Sequence, residues 1–191
     1  MPVYLRPERT QRMIRCLLNQ TEKDWEAFIV GDNCPYFDRH AELLKDPRIL
    51  AWNQRKNGGF WGYQITNLSI QAATGTYFMF LANDDLVELH HIENYLSAIE
   101  GTDLDFVYFD SFVLGERKNY KLKWGYIGDN AVIIRTEFLK QMPERLPEYG
   151  HDFELIHNMM LCGAKYKKSK NFPTYHIMTS PTSRIDPGNI D

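Results

Sequence analysis

Residues 76–81 (TYFMFL) form an apolar run without a polar break, opened by a β-branched threonine and rich in aromatic rings. A run of this length and type reads as a strand buried on both faces, and such a strand needs helices above and below its sheet. Its neighbours in sequence supply them. Residues 63–73 before it and 90–99 after it read as helices, and Thr74-Gly75 stops the first of these. The alternation continues along the chain. Helices are predicted over 7–19, 39–45, 136–142 and 152–162. Met13, Ile14, Leu17 and Leu18 form the apolar stripe of the first, and Phe153, Ile156, Met160 and Leu161 that of the last. Strands are predicted over 26–31, 48–52, 105–109, 131–134 and 164–169, with 120–124 as an extended edge piece. This order predicts an α/β domain with a mostly parallel central sheet flanked by helices.

A chain of 191 residues can build one domain with a sizeable core; we assign residues 1–180 to it and 181–191 to a C-terminal tail. The formal net charge of −3 offers no basic face of the sort that non-specific nucleic-acid binding needs. Lys165, Lys167, Lys168 and Lys170 are the one basic cluster. A solvated strand explains them, and a phosphate- or acceptor-facing edge is the other reading. Cys16, Cys34 and Cys162 are odd in number and share no metal-like spacing, which fits reduced thiols in a cytoplasmic protein. No apolar run is long enough to span a bilayer and no signal-peptide core opens the sequence. A cytoplasmic location is expected, with peripheral association at a membrane left open.

In open α/β sheets, ligands bind beyond the carboxyl ends of the strands. Two polar signals stand at such ends: Asp32-Asn33 after the 26–31 strand, and Asn83-Asp84-Asp85 after the 76–81 strand. Adjacent carboxylates there are costly without a positive partner, and a hard divalent cation would supply one. The alternative is a helix cap made by Asp84 or Asp85 for the segment that follows. Asp32 could accept hydrogen bonds from a nucleobase or ribose, or simply form a turn. Asp152, at the start of a helix, is either its cap or a general base presented at a loop–helix junction.

In order and spacing these motifs resemble the family-2 glycosyltransferases, whose fold is the nucleotide-diphospho-sugar transferase type called GT-A. The likeness spans about residues 2–183. It rests on Pro2-Val3-Tyr4-Leu5-Arg6-Pro7-Glu8, on Asn19-Gln20-Thr21 followed by Trp25-Glu26 and the strand ending in Asp32, and on Asn57-Gly58-Gly59 with Asn67. Ala73 to Tyr77, Leu81 to Asp85, His151-Asp152 with Gly163, and Tyr175-His176 with Ser180 and Ser183 complete it. Four departures accompany the match. Ala82 stands where the Asp-x-Asp pattern begins, His151 where the later acidic pair has Glu, and Thr66 where Arg often precedes Asn67. Met1-Pro2 starts almost at the end of the expected first strand.

The resemblance implies that Tyr4, Asp32, Asn67 and Asp84 contact a nucleotide-diphospho-sugar donor, UDP-linked, and that Asp84, Asp85 and His176 hold Mn²⁺ or Mg²⁺. Asp152 would be the base of an inverting single displacement onto an acceptor hydroxyl. The acceptor is open among a glycan, a lipid-linked sugar, a protein and a modified nucleobase. Trp61, Tyr63, Trp124 and Tyr126 could stack on sugar rings, or serve ordinary packing. Three rivals share a related sheet. A retaining transferase differs in product stereochemistry. A catalytically weak or inactive nucleotide-sugar-binding module would explain Ala82 and the short first strand. A nucleotidyltransferase calls for a Gly-rich basic loop that residues 2–12 lack.

Overall fold

The computed structural model describes residues 1–148 and 150–178. Ser180, Ser183 and the predicted tail lie outside the described residues, as does the side chain of His151. The first sheet is built from β1 (Pro2–Val3), β2 (Ala27–Gly31) and β3 (Ile49–Asn53), all parallel, in the order β1-β2-β3. Helix α1 (Pro7–Leu18) returns the chain from β1 to β2. Pro7 suits its first turn because a proline there loses no intrahelical bond. Met13, Ile14 and Leu17 are buried, and Ile14 and Leu17 pack against Val3 and Ile29 of the sheet.

Helix α2 (Tyr63–Ala72) leads into β4 (Tyr77–Met79). A second sheet runs β10-β6-β9-β4, with β6 (Phe106–Tyr108), β9 (Val132–Arg135) and β10 (Tyr166–Lys168). Here the expectation of a mostly parallel sheet needs correction. Only the β10–β6 pair is parallel, and β9 runs antiparallel to both β6 and β4. The reason lies in the connection from β6, where the sequence predicted only the edge piece at 120–124. It makes a hairpin, β7 (Ser111–Val113) with β8 (Glu116–Lys118), rather than a helical crossover, so β9 re-enters from the opposite end.

Residue alternation explains the burial of the second sheet. Phe106, Val132 and Ile134 face α5 (His151–Leu161) through Leu155, Ile156 and Met159. Val107, Phe109 and Ile133 face α3 (His91–Ile99) through Tyr95, Ala98 and Ile99. The Tyr95 ring stacks on Phe109 with centroids 3.7 Å apart. Each fully buried Val, Leu, Ile, Phe or Met among them contributes about 1.5–3 kcal/mol. A short helix α4 (Thr136–Leu139) follows β9.

A third sheet, β5-β11-β7-β8, joins β5 (Leu86–Val87) and β11 (Tyr175–Ile177) to the hairpin. β5 and β11 are two and three residues long, too short to leave a periodic signal. The predicted 39–45 helix is instead two short 3₁₀ turns, Phe37–His40 and Leu43–Lys45. Residues 120–124 are not a strand.

Candidate functional site

Asp32 follows the last residue of β2 at the carboxyl end of the parallel sheet, and it is buried. Its Oδ1 accepts from the Gly58 amide at 2.7 Å and from Gln54 Nε2, while its carbonyl accepts from Asn57 Nδ2 at 2.8 Å. The loop after β3 is thereby folded onto Asp32. It forms a cleft of about 250 Å³ lined by Lys56, Asn57, Gly58 and Gln64. Tyr4, just past β1, is exposed.

Asp84 and Asp85 occupy the turn between β4 and β5, and both are buried. Neither caps a helix, since the next helix starts at His91 and has no side-chain cap. Their partners differ. Asp84 pairs with the Arg6 guanidinium, whose side chain is 42% exposed. Leu5 and Arg6 both lie in the left-handed region, at φ 54° and 52°. Each such residue costs about 1–2 kcal/mol in an L-amino acid. That strained pair ends the β1 loop beside Asp84, where backbone strain characteristically collects at functional sites. Asp85 instead accepts from the Tyr175 hydroxyl at 3.0 Å and the Met178 amide at 2.9 Å. Tyr175 in turn receives the Ala82 amide at 3.1 Å. Burial, and then the Asp85 charge, push the Tyr175 phenol well above its ordinary pKa. Asp85 thus ties β11 to the acidic turn.

His176 does not join these carboxylates. Alternation along β11 turns Tyr175 and Ile177 into the core and His176 to the other side, where it stacks on Phe112 and meets Glu88 at 2.7 Å. Among the described residues, no three of His, Cys, Asp and Glu come together as a ready-made metal cage. A hard divalent ion that takes one or two carboxylates, with phosphate and water oxygens for the rest, still fits Asp84. That carboxylate already receives a cation, the Arg6 guanidinium.

Asp152 lies in the first turn of α5 but is not its cap; Gly150 is, at φ 94°. Trp124 lies against Gly150 so closely that a Cβ there would fall 2.0 Å from its ring. Trp124 also meets Phe153 edge-on, with centroids 5.9 Å apart, and is 55% exposed. Of the four aromatic residues considered for sugar stacking, it is thus one that reaches the helix carrying Asp152. Asp152 Oδ1 accepts from Arg145 Nη2 at 2.5 Å, and Arg145 Nη1 donates to Asp129 at 2.7 Å. Arg145 also lies over the Phe80 ring, 5.2 Å from its centroid. Phe80 follows β4, four residues before Asp84. Arg145 thereby links Asp152 to Phe80, on the segment that leads from β4 into the acidic turn. Asn67 is turned to the same loop: it accepts from the Arg145 amide at 3.0 Å and donates to its carbonyl at 3.1 Å.

Sequence reasoning passed over Arg6 as the partner of Asp84, and Arg145 and Asp129 altogether. A lone arginine in a loop carries no periodic or spacing signal, and the partners lie 78, 16 and 7 residues away. In the lysine cluster, Lys165 pairs with Asp103 at 2.8 Å and Lys168 with the buried Asp110 at 2.6 Å. Those contacts favour structural and solvated roles.

A parallel sheet ending in a buried aspartate, a mixed second sheet behind it, and an acidic turn after that sheet's edge strand define a GT-A-type nucleotide-diphospho-sugar transferase fold. The profile described as Glycosyl transferase family 2 matches residues 1–162, and the chain belongs to that family. EpsJ of Bacillus subtilis (strain 168), described as an uncharacterized glycosyltransferase, is 33% identical over 112 residues, 56% of this chain and 31% of EpsJ. The fold is similar to that of S. aureus TarS residues 1–349 in complex with UDP-GlcNAc, with TM-score 0.72, 15% identity, and 94% of this chain on 57% of that one. It is similar as well to the mannosyltransferase PcManGT of Pyrobaculum calidifontis in complex with GDP-Man and Mn²⁺, with TM-score 0.72, 12% identity, and 94% of this chain on 56% of that one. The chain spans 15–31% of the length of the curated relatives it matches.

Proposed function

We propose that this chain binds a nucleotide-diphospho-sugar, UDP-linked, and transfers its sugar to an acceptor hydroxyl with inversion. The observation that carries this reading is the contact chain from Asp152 through Arg145 to Phe80, four residues before the buried Asp84. Family membership supports it, as do the UDP-GlcNAc bound to TarS and the GDP-Man and Mn²⁺ bound to PcManGT. Asp32 and the cleft at Lys56–Gly58 bind the nucleoside, with Tyr4 at the rim. Asp84 would hold Mn²⁺ or Mg²⁺ beside the donor diphosphate. Bound there, the ion supplies Lewis-acid stabilisation of charge on the departing diphosphate. Asp85 keeps the turn in place through Tyr175 and Met178.

Asp152 accepts the proton of the acceptor hydroxyl. The acceptor oxygen forms its bond to the anomeric carbon as the carbon–phosphate oxygen bond breaks, and the electron pair leaves on the nucleoside diphosphate. Positioning supplies much of the rate gain, with several kcal/mol from holding the reacting groups together. Cys16, Cys34 and Cys162 are free thiols, which agrees with the cytoplasmic location proposed here. Among the described residues, no helix is long and apolar enough to cross a membrane.

A second reading has one observation of its own. Arg6 on Asp84, with Ala82 beside it, suits a nucleotide-sugar-binding module without turnover. A thermal-stability screen of nucleotide-sugars with Mn²⁺, followed by a turnover assay, separates the two. Stabilisation with product formation supports the transferase. Stabilisation without product from any acceptor class supports the module, and no metal-dependent stabilisation contradicts both.

A further inference from the structure

Arg145 is the most buried cation at the site, with a side chain 3% exposed, and it is shared by two carboxylates. Four elements converge on it. Asn67 of α2 fixes its main chain in both directions. Phe80, after β4, supports the guanidinium. Asp129, in the 3₁₀ turn before β9, holds one end of the fork and Asp152, on α5, the other. Burial works against the Arg145 charge, and the fields of Asp129 and Asp152 more than offset it, leaving its pKa raised.

We propose that Arg145, mounted on Asn67 and Asp129, is the positioning residue that aims Asp152 at the acceptor. The proposal rests on the reading of Asp152 as the base. Buried arginine–carboxylate triads add little net stability over apolar packing, so this one gains more as a geometric device than as a brace. The fork is planar and rigid, and it fixes one oxygen of Asp152 and therefore the direction of the other. One guanidinium cannot neutralise two carboxylates, so a negative charge remains. Of the two carboxylates, Asp152, 40% exposed, is the one more open to an acceptor than Asp129, 18% exposed. An ionised, aimed carboxylate is what proton abstraction from a hydroxyl requires. Arg145 Nε is buried without a partner, a cost of the two-ended arrangement. Among the described residues, the charged groups near Asp152 include Arg145, Asp129 behind it, and Glu154 in its own first turn.

The test compares Arg145→Lys, which keeps a charge but lacks the fork, with Asp129→Asn, which leaves Arg145 to Asp152 alone. The ¹³C carboxyl resonance of Asp152, assigned through Asp152→Asn, is titrated without substrate. Turnover against pH, UDP–Mn²⁺ affinity and thermal stability are read alongside. With Arg145→Lys, the Asp152 midpoint is expected to rise by about one pH unit. The acidic limb of turnover moves with it, kcat falls at least roughly tenfold, and UDP–Mn²⁺ affinity holds. With Asp129→Asn the midpoint falls, because Arg145 is left to Asp152 alone. Midpoints that stay fixed, or move the same way in both variants, overturn the proposal. Midpoints that move as expected while Asp152→Asn turns over normally refute the base assignment instead, leaving the coupling intact.

Discussion

Two adjacent aspartates are given opposite fates, and that difference is measurable in stability. Asp85 is 1% exposed and serves the Tyr175 hydroxyl and the Met178 amide. Asp85→Ala leaves both donors without that acceptor in a buried setting, at about 1–3 kcal/mol each. Release of a desolvated charge offsets part of the loss. A net destabilisation of about 3 kcal/mol follows, which for a chain of this size lowers Tm by roughly 6–12 °C. Asp84→Ala removes a pair whose arginine is 42% exposed and can turn to water. Its stability stays within about 1 kcal/mol of the parent. Urea unfolding followed by tryptophan fluorescence and circular dichroism at pH 7.5 gives both numbers, provided the m-values agree. Equal stability of Asp85→Ala and the parent, or a larger loss in Asp84→Ala, would refute the assignment of Asp85 to holding the turn.

Other outcomes follow from the same geometry. Asp152→Asn should keep UDP–Mn²⁺ binding within a few-fold and lose about 10²–10⁴ in transfer rate, checked by calorimetry and product formation. Gly150→Ala should cost about 1–2 kcal/mol for its left-handed backbone and displace the Trp124 ring, seen as a changed fluorescence maximum and a lower urea midpoint. His91 is held at about 3 by burial, then by the fields of His90 and His176, and His40 is lowered chiefly by burial. Between about pH 6.5 and 3 the unfolded chain binds protons that the folded chain refuses, so stability is full above 6.5 and falls as pH drops. His91→Gln should flatten that slope, about 1.4 kcal/mol per pH unit, in unfolding measured from pH 7 to 4.5.

The sequence disclosed most where burial imposes a period. The 7–19 stripe and the apolar 131–134 segment both became elements within a residue or two. Thr76–Leu81 marked the acidic turn as well, because the strand's end carries the charges. What stayed hidden is held by single long-range contacts. β5 and β11 are pinned by Asp85, Tyr175 and Met178, and the β7–β8 hairpin by Asp110 with Arg117 and Lys168, none of which leaves a local pattern. The same limit applies at the site. Asp32, Asp84 and Asp152 stood out because carboxylates at strand and helix ends are few. Arg6 and Arg145, which receive two of them, look like surface arginines until the fold is known. Asn67 and His176 show the converse: matched by motif, they are given structural partners, Arg145 and Glu88.

The most direct measurement is a calorimetric titration of UDP, with and without Mn²⁺, into the parent chain, Asp84→Ala and Asp152→Asn. The account predicts UDP binding at least roughly tenfold tighter with Mn²⁺ for the parent and Asp152→Asn, and no such gain for Asp84→Ala. A Mn²⁺ gain that survives in Asp84→Ala would contradict it.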